Sequence, residues 1–168
     1  LLRSISDKAK TADGIMSALN KSLAFNNESN MFVTFFLGIL DLETGILSFA
    51  NAGHNPPVLI RANGSIEVFE TAKAIPLGLF ESVPFVTREV KISCGDKIFA
   101  YTDGVSEAEN HSRELFGEER MLNLIKENTQ KHPSEITSLM IEGIDSFVNH
   151  FPQSDDITMM TIQYNGKA

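Results

Sequence analysis

Residues 97–108 read Lys-Ile-Phe-Ala-Tyr-Thr-Asp-Gly-Val-Ser-Glu-Ala, and the rest of the chain is organised around them. The stretch begins as an apolar, strand-like run and ends on the carboxylate of Asp103, followed by Gly104. A carboxylate at the exit of a buried strand stands on a rigid support. This position suits metal binding, because the oxygens are fixed while the open side accepts water or substrate. A second acidic pair, Asp155 and Asp156, lies at the entrance of another strand-like run.

These two acidic segments converge if their strands are antiparallel neighbours, because the exit of one strand then lies beside the entrance of the other. Carboxylates brought this close repel one another unless a cation or protons neutralise them. Oxygen ligands without clustered His or Cys favour Mg²⁺ or Mn²⁺ over Zn²⁺, and a pair of such ions binds a phosphate and generates a hydroxide nucleophile. Spacing alone leaves a simpler alternative open, in which Asp103-Gly104 is a turn and Asp155-Asp156 caps a strand.

The composition indicates one globular domain, residues 1–168, with enough apolar residues (42%) for a core. The formal net charge of -8 argues against a nucleic-acid-binding surface and against contact with an anionic membrane. Cys94 is the one cysteine in the sequence, which excludes a disulfide within the chain and favours a reducing, cytoplasmic compartment. The longest apolar run, Met31–Leu40, is too short to span a bilayer.

Hydrophobic patterning predicts an α+β fold built on antiparallel strands, with helical pairs before and after them and no βαβ repeat. The run Met31–Leu40 has few polar breaks and is typical of a strand buried on both faces, paired in a hairpin with the strand Ile46–Ala52. Further strands are predicted at Val58–Arg61 and Ile66–Phe69, joined as a hairpin through Asn63-Gly64, and at Phe85–Ile92, Lys97–Thr102 and Ile157–Tyr164, with Ser93–Asp96 as the turn before Lys97. Helices are predicted at Leu1–Ala9, from Thr11 or Asp13 to Leu23, from Phe116 to Ile125 and from His132 to Val148.

His54, in the loop Gly53–Pro57, is a second candidate for chemistry, as an acid/base group or a contact for a partner. The simpler interpretation is a loop whose polar groups hydrogen-bond the backbone. We favour it, because no carboxylate partner for His54 is evident in the sequence. The sequence has no Walker-type glycine-rich loop, no Gly-x-Ser-x-Gly elbow and no His-Glu-x-x-His motif. It therefore assigns no catalytic side chain.

Four motifs occur in an order that resembles the SpoIIE-like branch of the metal-dependent (PPM, type 2C) protein serine/threonine phosphatases. They run from about Met31 to Tyr164, most of the chain: Phe32-Val33-Thr34, Asn51-Ala52-Gly53-His54-Asn55-Pro56-Pro57, Gly95-Asp96 leading into Tyr101-Thr102-Asp103-Gly104-Val105-x-Glu107-Ala108, and Asp155-Asp156-Ile157-Thr158.

The resemblance implies a β-sandwich flanked by helical layers, with a two-metal Mn²⁺ or Mg²⁺ centre that hydrolyses phosphoserine or phosphothreonine on a protein. The implied substrate in bacterial relatives is a phosphorylated anti-sigma-factor antagonist, whose dephosphorylation releases a sigma factor by partner switching. By motif match Asp103 and Asp155 resemble metal ligands, and Gly104 lets the backbone pass close to the metal. Asp156 takes a place usually held by Asn in eukaryotic relatives, so the choice between Asp155 and Asp156 stays open.

This sequence departs from the family pattern in one respect. The family's Gly-Gly-Asp segment and Asp-x-Ser-Gly-x-Gly segment, which supply metal-site groups, do not occur in it. The resemblance therefore implies a domain without its first strands and with part of its metal site, weak or inactive by itself. It also implies an open sheet edge. This edge or the N-terminal helix would then mediate a homodimer. Two alternatives remain: a non-catalytic phosphatase-like binding or signalling module, and an unrelated α+β domain with Asp-rich turns.

Overall fold

The structure is a computed structural model and describes residues 2–6, 9–25, 27–71, 75–153 and 155–166. Leu1, which the patterning assigned to the first helix, lies outside these residues. In chain order the elements are α1 (Leu2–Ser6), α2 (Ala12–Ala24), β1 (Phe35–Leu40), β2 (Ile46–Ala52), β3 (Val58–Ile60), β4 (Ile66–Val68), β5 (Arg88–Lys91), β6 (Lys97–Tyr101), α3 (Asp103–Ser106), α4 (Gly117–Glu127), α5 (Pro133–Val148) and β7 (Met159–Gln163).

The chain forms two compact units. The first comprises the residues up to Pro56 together with Glu70–Ile92, and the second comprises Pro57–Phe69 together with Ser93–Gly166. Each unit contains one antiparallel sheet and at least one amphipathic helix, so the predicted α+β class is confirmed. Among the described residues, none of the helices combines the length and the apolar character needed to cross a lipid bilayer.

The first unit packs helix α2 against a three-stranded sheet of order β1-β2-β5. Thr11 caps the helix, because its hydroxyl accepts a hydrogen bond from the N–H of Gly14 at 3.3 Å. Ile15, Met16 and Leu19 recur at helical spacing and are buried in the core of this unit. A helix of 13 residues is only marginally stable by itself. Burial of each apolar side chain of this size stabilises it by about 1.5–3 kcal/mol, so packing on the sheet accounts for most of its stability.

The prediction that residues 31–40 form a strand buried on both faces is wrong. The strand begins at Phe35 and is at best half-buried, while Met31 and Phe32 are 71% and 58% exposed. Alternation explains the difference: residues 35, 37 and 39 pack on the core of the unit, and the residues between them face away. The side chain of Asn27 holds the main chain of Met31 in a turn through two hydrogen bonds of 2.7 and 3.0 Å, which delays the start of the strand.

The second unit packs α4 and α5 against a four-stranded sheet of order β4-β3-β6-β7. Strand β6 alternates between buried and half-buried residues, and the rings of Phe99 and Tyr101 face the core. Helix α5 supplies buried residues at a spacing of four, Ile136, Met140 and Ile144. It begins at the predicted point, with His132 as N-cap in a capping box and Pro133 in the first turn. This core holds β6 and β7 side by side.

A buried carboxylate fixes the turn that leads into β6. Asp96, 2% exposed, accepts hydrogen bonds from the N–H groups of Ser93 at 2.9 Å and Ala62 at 2.8 Å, and from the guanidinium of Arg61 at 3.1 Å. Burial by itself raises the pKa of this carboxyl, but the two N–H groups and Arg61 more than compensate, so the pKa of Asp96 lies below its ordinary value. The sequence pattern indicated only a turn here. The structure shows that the turn is anchored to the β3–β4 hairpin.

Candidate metal centre

The structure brings the two acidic segments together at one end of the second sheet. Strands β6 and β7 pair antiparallel, with Tyr101 opposite Met159. Asp103 follows β6 by two residues and is the first residue of α3, while Asp155 and Asp156 precede β7. The predicted convergence is therefore observed, although Asp103-Gly104 opens a short helix and is not an isolated turn. The metal-binding role of these carboxylates stays a prediction.

The two acidic segments approach each other closely at Gly104. A Cβ atom placed on this residue would lie 2.5 Å from the carbonyl oxygen of Asp156 and 2.9 Å from its carbonyl carbon. Both are main-chain atoms, so no side-chain rotation relieves the contact. The glycine is required for close approach and not for a left-handed backbone, because its φ lies outside that range. Any residue with a side chain here forces the Asp155-Asp156 loop away from α3.

Thr102 ties the two segments together and was missed by the sequence analysis, which assigned it only to the end of a strand. Its N–H donates to the carbonyl of Thr158 at 2.9 Å, and its hydroxyl accepts from the N–H of Thr158 at 3.1 Å. The same hydroxyl donates to the carbonyl of Asp156 at 3.1 Å. Because the hydroxyl is used across the chain, it makes no capping hydrogen bond to α3. A Thr directly before an acidic strand exit gives no distinctive signal in a single sequence.

The three aspartates are exposed and face solvent, with only local hydrogen bonds to their side chains. Asp103 accepts from the N–H of Gly104 at 3.1 Å, and Asp155 accepts from the N–H of Asp156 at 2.7 Å. The side-chain amide of Gln153 donates to the main-chain carbonyl of Asp155 at 2.5 Å. Each of the two carboxylate bonds uses one oxygen, Oδ1, of Asp103 or Asp155.

The donor atoms are carboxylate oxygens at the end of paired strands, which is the type of ligand that a hard divalent cation prefers. Their number is small. Within the described ranges, no group of three or more His, Cys, Asp or Glu side chains is placed to share a metal ion. Asp103 with Asp155 or Asp156 would thus supply fewer than three such side chains to a metal ion, and their role as ligands stays a prediction.

A cavity of about 360 Å³ opens beside this end of the sheet, within the second unit. Gly104 and Asp155 belong to its wall, together with the C-terminal end of α5 and the segment that follows it. Asn149 and His150, directly after α5, both have left-handed φ values of 46° and 67°. This double reversal turns the chain back and carries Phe151 into the wall of the cavity.

His54 lies in the first unit, and its main chain is fixed by a neighbouring side chain. The side chain of Asn51 donates to the carbonyl of His54 at 2.7 Å and accepts from its N–H at 2.8 Å. The imidazole Nδ1 lies 3.4 Å from the hydroxyl of Thr34. These contacts agree with the loop-stabilising interpretation of this motif.

Comparison with known proteins gives one family for this chain. The family model described as Stage II sporulation protein E (SpoIIE) matches residues 1–165. The chain is 31% identical over 136 residues to Protein IcfG of Synechocystis sp., a match that covers 80% of this chain and 21% of that protein. It is 22% identical over 149 residues to Phosphoserine phosphatase RsbU of Bacillus subtilis, covering 89% of this chain and 44% of the relative. The chain thus spans less than half the length of these two relatives.

Solved structures share the fold. The structure of the RsbU and RsbW domains of Rv1364c from Mycobacterium tuberculosis superposes with a TM-score of 0.76 at 23% identity, covering 99% of this chain and 46% of that one. The SiaA-PP2C domain of Pseudomonas aeruginosa has a TM-score of 0.79 at 17% identity, with 96% and 64% covered. The phosphatase domain of SpoIIE from Bacillus subtilis has a TM-score of 0.70 at 17% identity, with 99% and 73% covered. At these identities the likeness establishes a PP2C-type fold.

Proposed function

Because the chain belongs to the SpoIIE family, we propose that it is a metal-dependent protein serine/threonine phosphatase domain. Its proposed substrate is a phosphorylated anti-sigma-factor antagonist in a cytoplasmic partner-switching pathway. One observation carries the proposal: Asp103 and the Asp155-Asp156 pair meet at one end of a sheet, held by Thr102 and Gly104. The name of one relative, a phosphoserine phosphatase, and the RsbW domain in the chain of another support the substrate class.

The proposed reaction is hydrolysis of a phosphoserine ester. Water oxygen bonds to phosphorus, the bond from phosphorus to the serine oxygen breaks, and that oxygen takes up a proton, leaving serine and inorganic phosphate. Asp103 with Asp155 or Asp156 would hold Mn²⁺ or Mg²⁺, which when bound neutralises phosphate charge and acidifies a coordinated water. Thr102 and Gly104 act as positioning residues, because they set the spacing of the carboxylates without presenting a reactive group to the phosphate.

A non-catalytic phosphatase-like module is the second candidate function. It is favoured by the small donor set, since fewer than three suitable side chains gather at one point among the described residues. Such a module would recognise a phosphorylated partner and leave the ester intact. The acidic residues at both strand ends count against it, because a module that only binds a phosphorylated partner does not need metal-binding carboxylates there.

A phosphatase assay in Mn²⁺ separates these two functions. The protein is expressed together with any natural sequence that adjoins these residues, and phosphate release from p-nitrophenyl phosphate and from a phosphoserine protein is measured. We expect metal-dependent release that falls more than about hundredfold in Asp103→Asn, since a lost ligand weakens a metal site at least as much as a lost supporting contact. Glu142→Gln, which changes an exposed carboxylate of α5, serves as the control and retains activity. Full activity of Asp103→Asn would refute the ligand assignment, and binding without hydrolysis would favour the second candidate.

Self-association is a further part of the proposal, through the outer edge of β1 or through α1. Over residues 35–40, β1 pairs with β2 on one side, and no other described strand pairs with its second side. The exposed Met31 and Phe32 precede this strand in the sequence by a few residues. Sedimentation velocity should show a dimer that Phe32→Lys weakens and that the control Leu115→Lys, an exposed apolar residue of the second unit, does not. A monomer at every concentration contradicts this part.

A further inference from the structure

The cavity beside the candidate metal centre has features that a simple phosphate site does not need. Its volume of about 360 Å³ lies near the lower end of the range for ligand pockets, roughly 300–1,000 Å³, and exceeds what a phosphate group alone would fill. Its lining is of mixed polarity and includes the apolar residues Ile144 and Val148 of α5 and Phe151. A cavity of this size next to a proposed phosphoryl site is suited to a substrate side chain that reaches past the phosphate.

The wall of this cavity contains three carboxylates and one imidazole, that of His150. Glu109, Asp145 and Asp155 supply carboxylates, and none of the lining residues is Lys or Arg. Apolar residues together with carboxylates in one wall match a long basic side chain, whose methylene stem packs on the apolar residues while its cationic head meets a carboxylate. An acidic side chain would be repelled by the same wall, and a purely apolar one would leave Asp145 without an ion-pair partner.

One arginine of this chain, Arg113, contacts two of the residues that line the cavity. Arg113 donates to Glu109 at 2.7 Å, and its guanidinium carbon lies 4.9 Å from the centre of the Phe151 ring. This internal arginine compensates the charge of Glu109. It leaves Asp145, one turn before the end of α5, as a carboxylate for which no described side chain provides an ion pair. Asp145 is also separate from the acidic segments that would hold the metal.

We propose that this cavity binds a lysine or arginine side chain of the phosphoprotein substrate, close in sequence to its phosphoserine, with Asp145 as the main partner of the cationic head. The proposal rests on the proposed phosphatase function for its choice of ligand. It adds a specificity determinant: the phosphate is recognised at the Asp103 end of the sheet, and the basic residue is recognised in the adjacent cavity that shares Gly104 and Asp155 with that end.

The test compares phosphoserine peptides that differ in one residue. A series carries a single arginine at each position on either side of the phosphoserine, and a matched series carries citrulline, which has the same shape without the charge. In Mn²⁺ we expect one position at which kcat/KM for the arginine peptide exceeds that for the citrulline peptide by about three- to tenfold, the range of a partly shielded ion pair. In Asp145→Asn this ratio should fall to about one. The control Glu142→Gln, on the same helix, should keep it.

A binding measurement distinguishes failure of the cavity proposal from failure of the phosphatase proposal. The labelled peptides are also titrated against each variant by fluorescence anisotropy, where the same arginine preference and the same loss in Asp145→Asn are expected. If wild-type protein hydrolyses p-nitrophenyl phosphate but shows no arginine preference at any position, the cavity proposal is overturned and the phosphatase proposal stands. If nothing is hydrolysed, the phosphatase proposal fails, and the anisotropy ratio alone decides for or against the cavity. An arginine preference retained in Asp145→Asn also overturns the assignment.

Discussion

The close approach at Gly104 makes Gly104→Ala the most direct perturbation of the candidate centre. The added methyl group would lie 2.5 Å from the carbonyl oxygen of Asp156, and the segments must separate until that contact reaches at least 3.0 Å. The movement stretches the hydrogen bond from the Thr102 hydroxyl to the same carbonyl, now 3.1 Å. The substitution therefore changes the spacing of the acidic segments without altering any charge.

The magnitude follows from two opposing effects. Overpacking against a backbone that cannot rotate away costs about 1–3 kcal/mol. Alanine gains up to about 1 kcal/mol over glycine in a helix, but α3 has only four residues, so that gain is small. We expect the free energy of unfolding to fall by about 1–2 kcal/mol. With a urea slope of about 2 kcal/mol per molar, the midpoint of unfolding falls by roughly 0.5–1 M.

Urea unfolding followed by circular dichroism measures this shift, and Gly143→Ala is the matched control. A Cβ on Gly143 would also be crowded, at 2.7 Å, but by the terminal methyl group of Leu124, which can rotate away. Gly143→Ala in the middle of α5 should therefore change the midpoint little or raise it. Equal midpoints for Gly104→Ala and wild type, or equal losses for the two variants, would refute the inference that main-chain contact at Gly104 holds the acidic segments together.

Three further predictions concern hydrogen bonds that the structure reveals. Thr102→Val removes the hydroxyl that bonds the N–H of Thr158 and the carbonyl of Asp156, so the free energy of unfolding should fall by about 1–3 kcal/mol. Thr102→Ser, which keeps the hydroxyl, should recover most of the loss. Equal stability of the Val variant and wild type contradicts this prediction. Because the pKa of Asp96 is lower in the folded state, its stabilisation is present above the unfolded pKa and is lost as pH falls through the folded value. Asp96→Asn should lower the free energy of unfolding by about 2–4 kcal/mol at neutral pH and should reduce the further loss of stability as the pH falls. An unchanged loss of stability at acid pH would count against a stabilising ionised Asp96. The hydroxyl of Thr87 donates to Asp13 at 2.6 Å, and this bond is the largest of the effects that lower the pKa of Asp13. Thr87→Val should raise that pKa, as followed by NMR titration, and cost about 1 kcal/mol; an unmoved titration would exclude the bond.

The parts of the fold that the sequence predicted correctly depend on local signals. The Asn63-Gly64 dipeptide between two short apolar runs predicted the β3–β4 hairpin, and His132 with Pro133 predicted the start of α5. Antiparallel pairing of β6 with β7 then placed Asp103 beside Asp155. Each of these inferences needs only a turn, a cap or a pairing direction, which short segments encode by themselves.

The parts that the sequence did not predict depend on contacts between distant residues. Thr102 and Asp156 are 54 positions apart, and no periodicity marks their hydrogen bond. Asp96 was interpreted as a turn residue because its partners Arg61 and Ala62 lie on another hairpin. The exposed start at Met31 was mistaken for the interior of a strand because apolar composition does not reveal which face is covered. The cavity at the end of α5 likewise depends on two left-handed residues, Asn149 and His150, which are not glycines.

The candidate centre separates the groups that stabilise the fold from the groups that would perform chemistry. Main-chain packing at Gly104 and the hydroxyl of Thr102 hold the acidic segments in place, while the carboxylates of Asp103 and Asp155 make only local hydrogen bonds. Neutral replacements of these carboxylates should therefore leave the fold nearly unchanged, since exposed substitutions usually alter stability by less than about 0.5 kcal/mol. A turn or strand cap would need no second acidic segment packed against it. Cation binding by these carboxylates stays a prediction, and a structural role as a turn or strand cap predicts instead that the same neutral replacements lower stability.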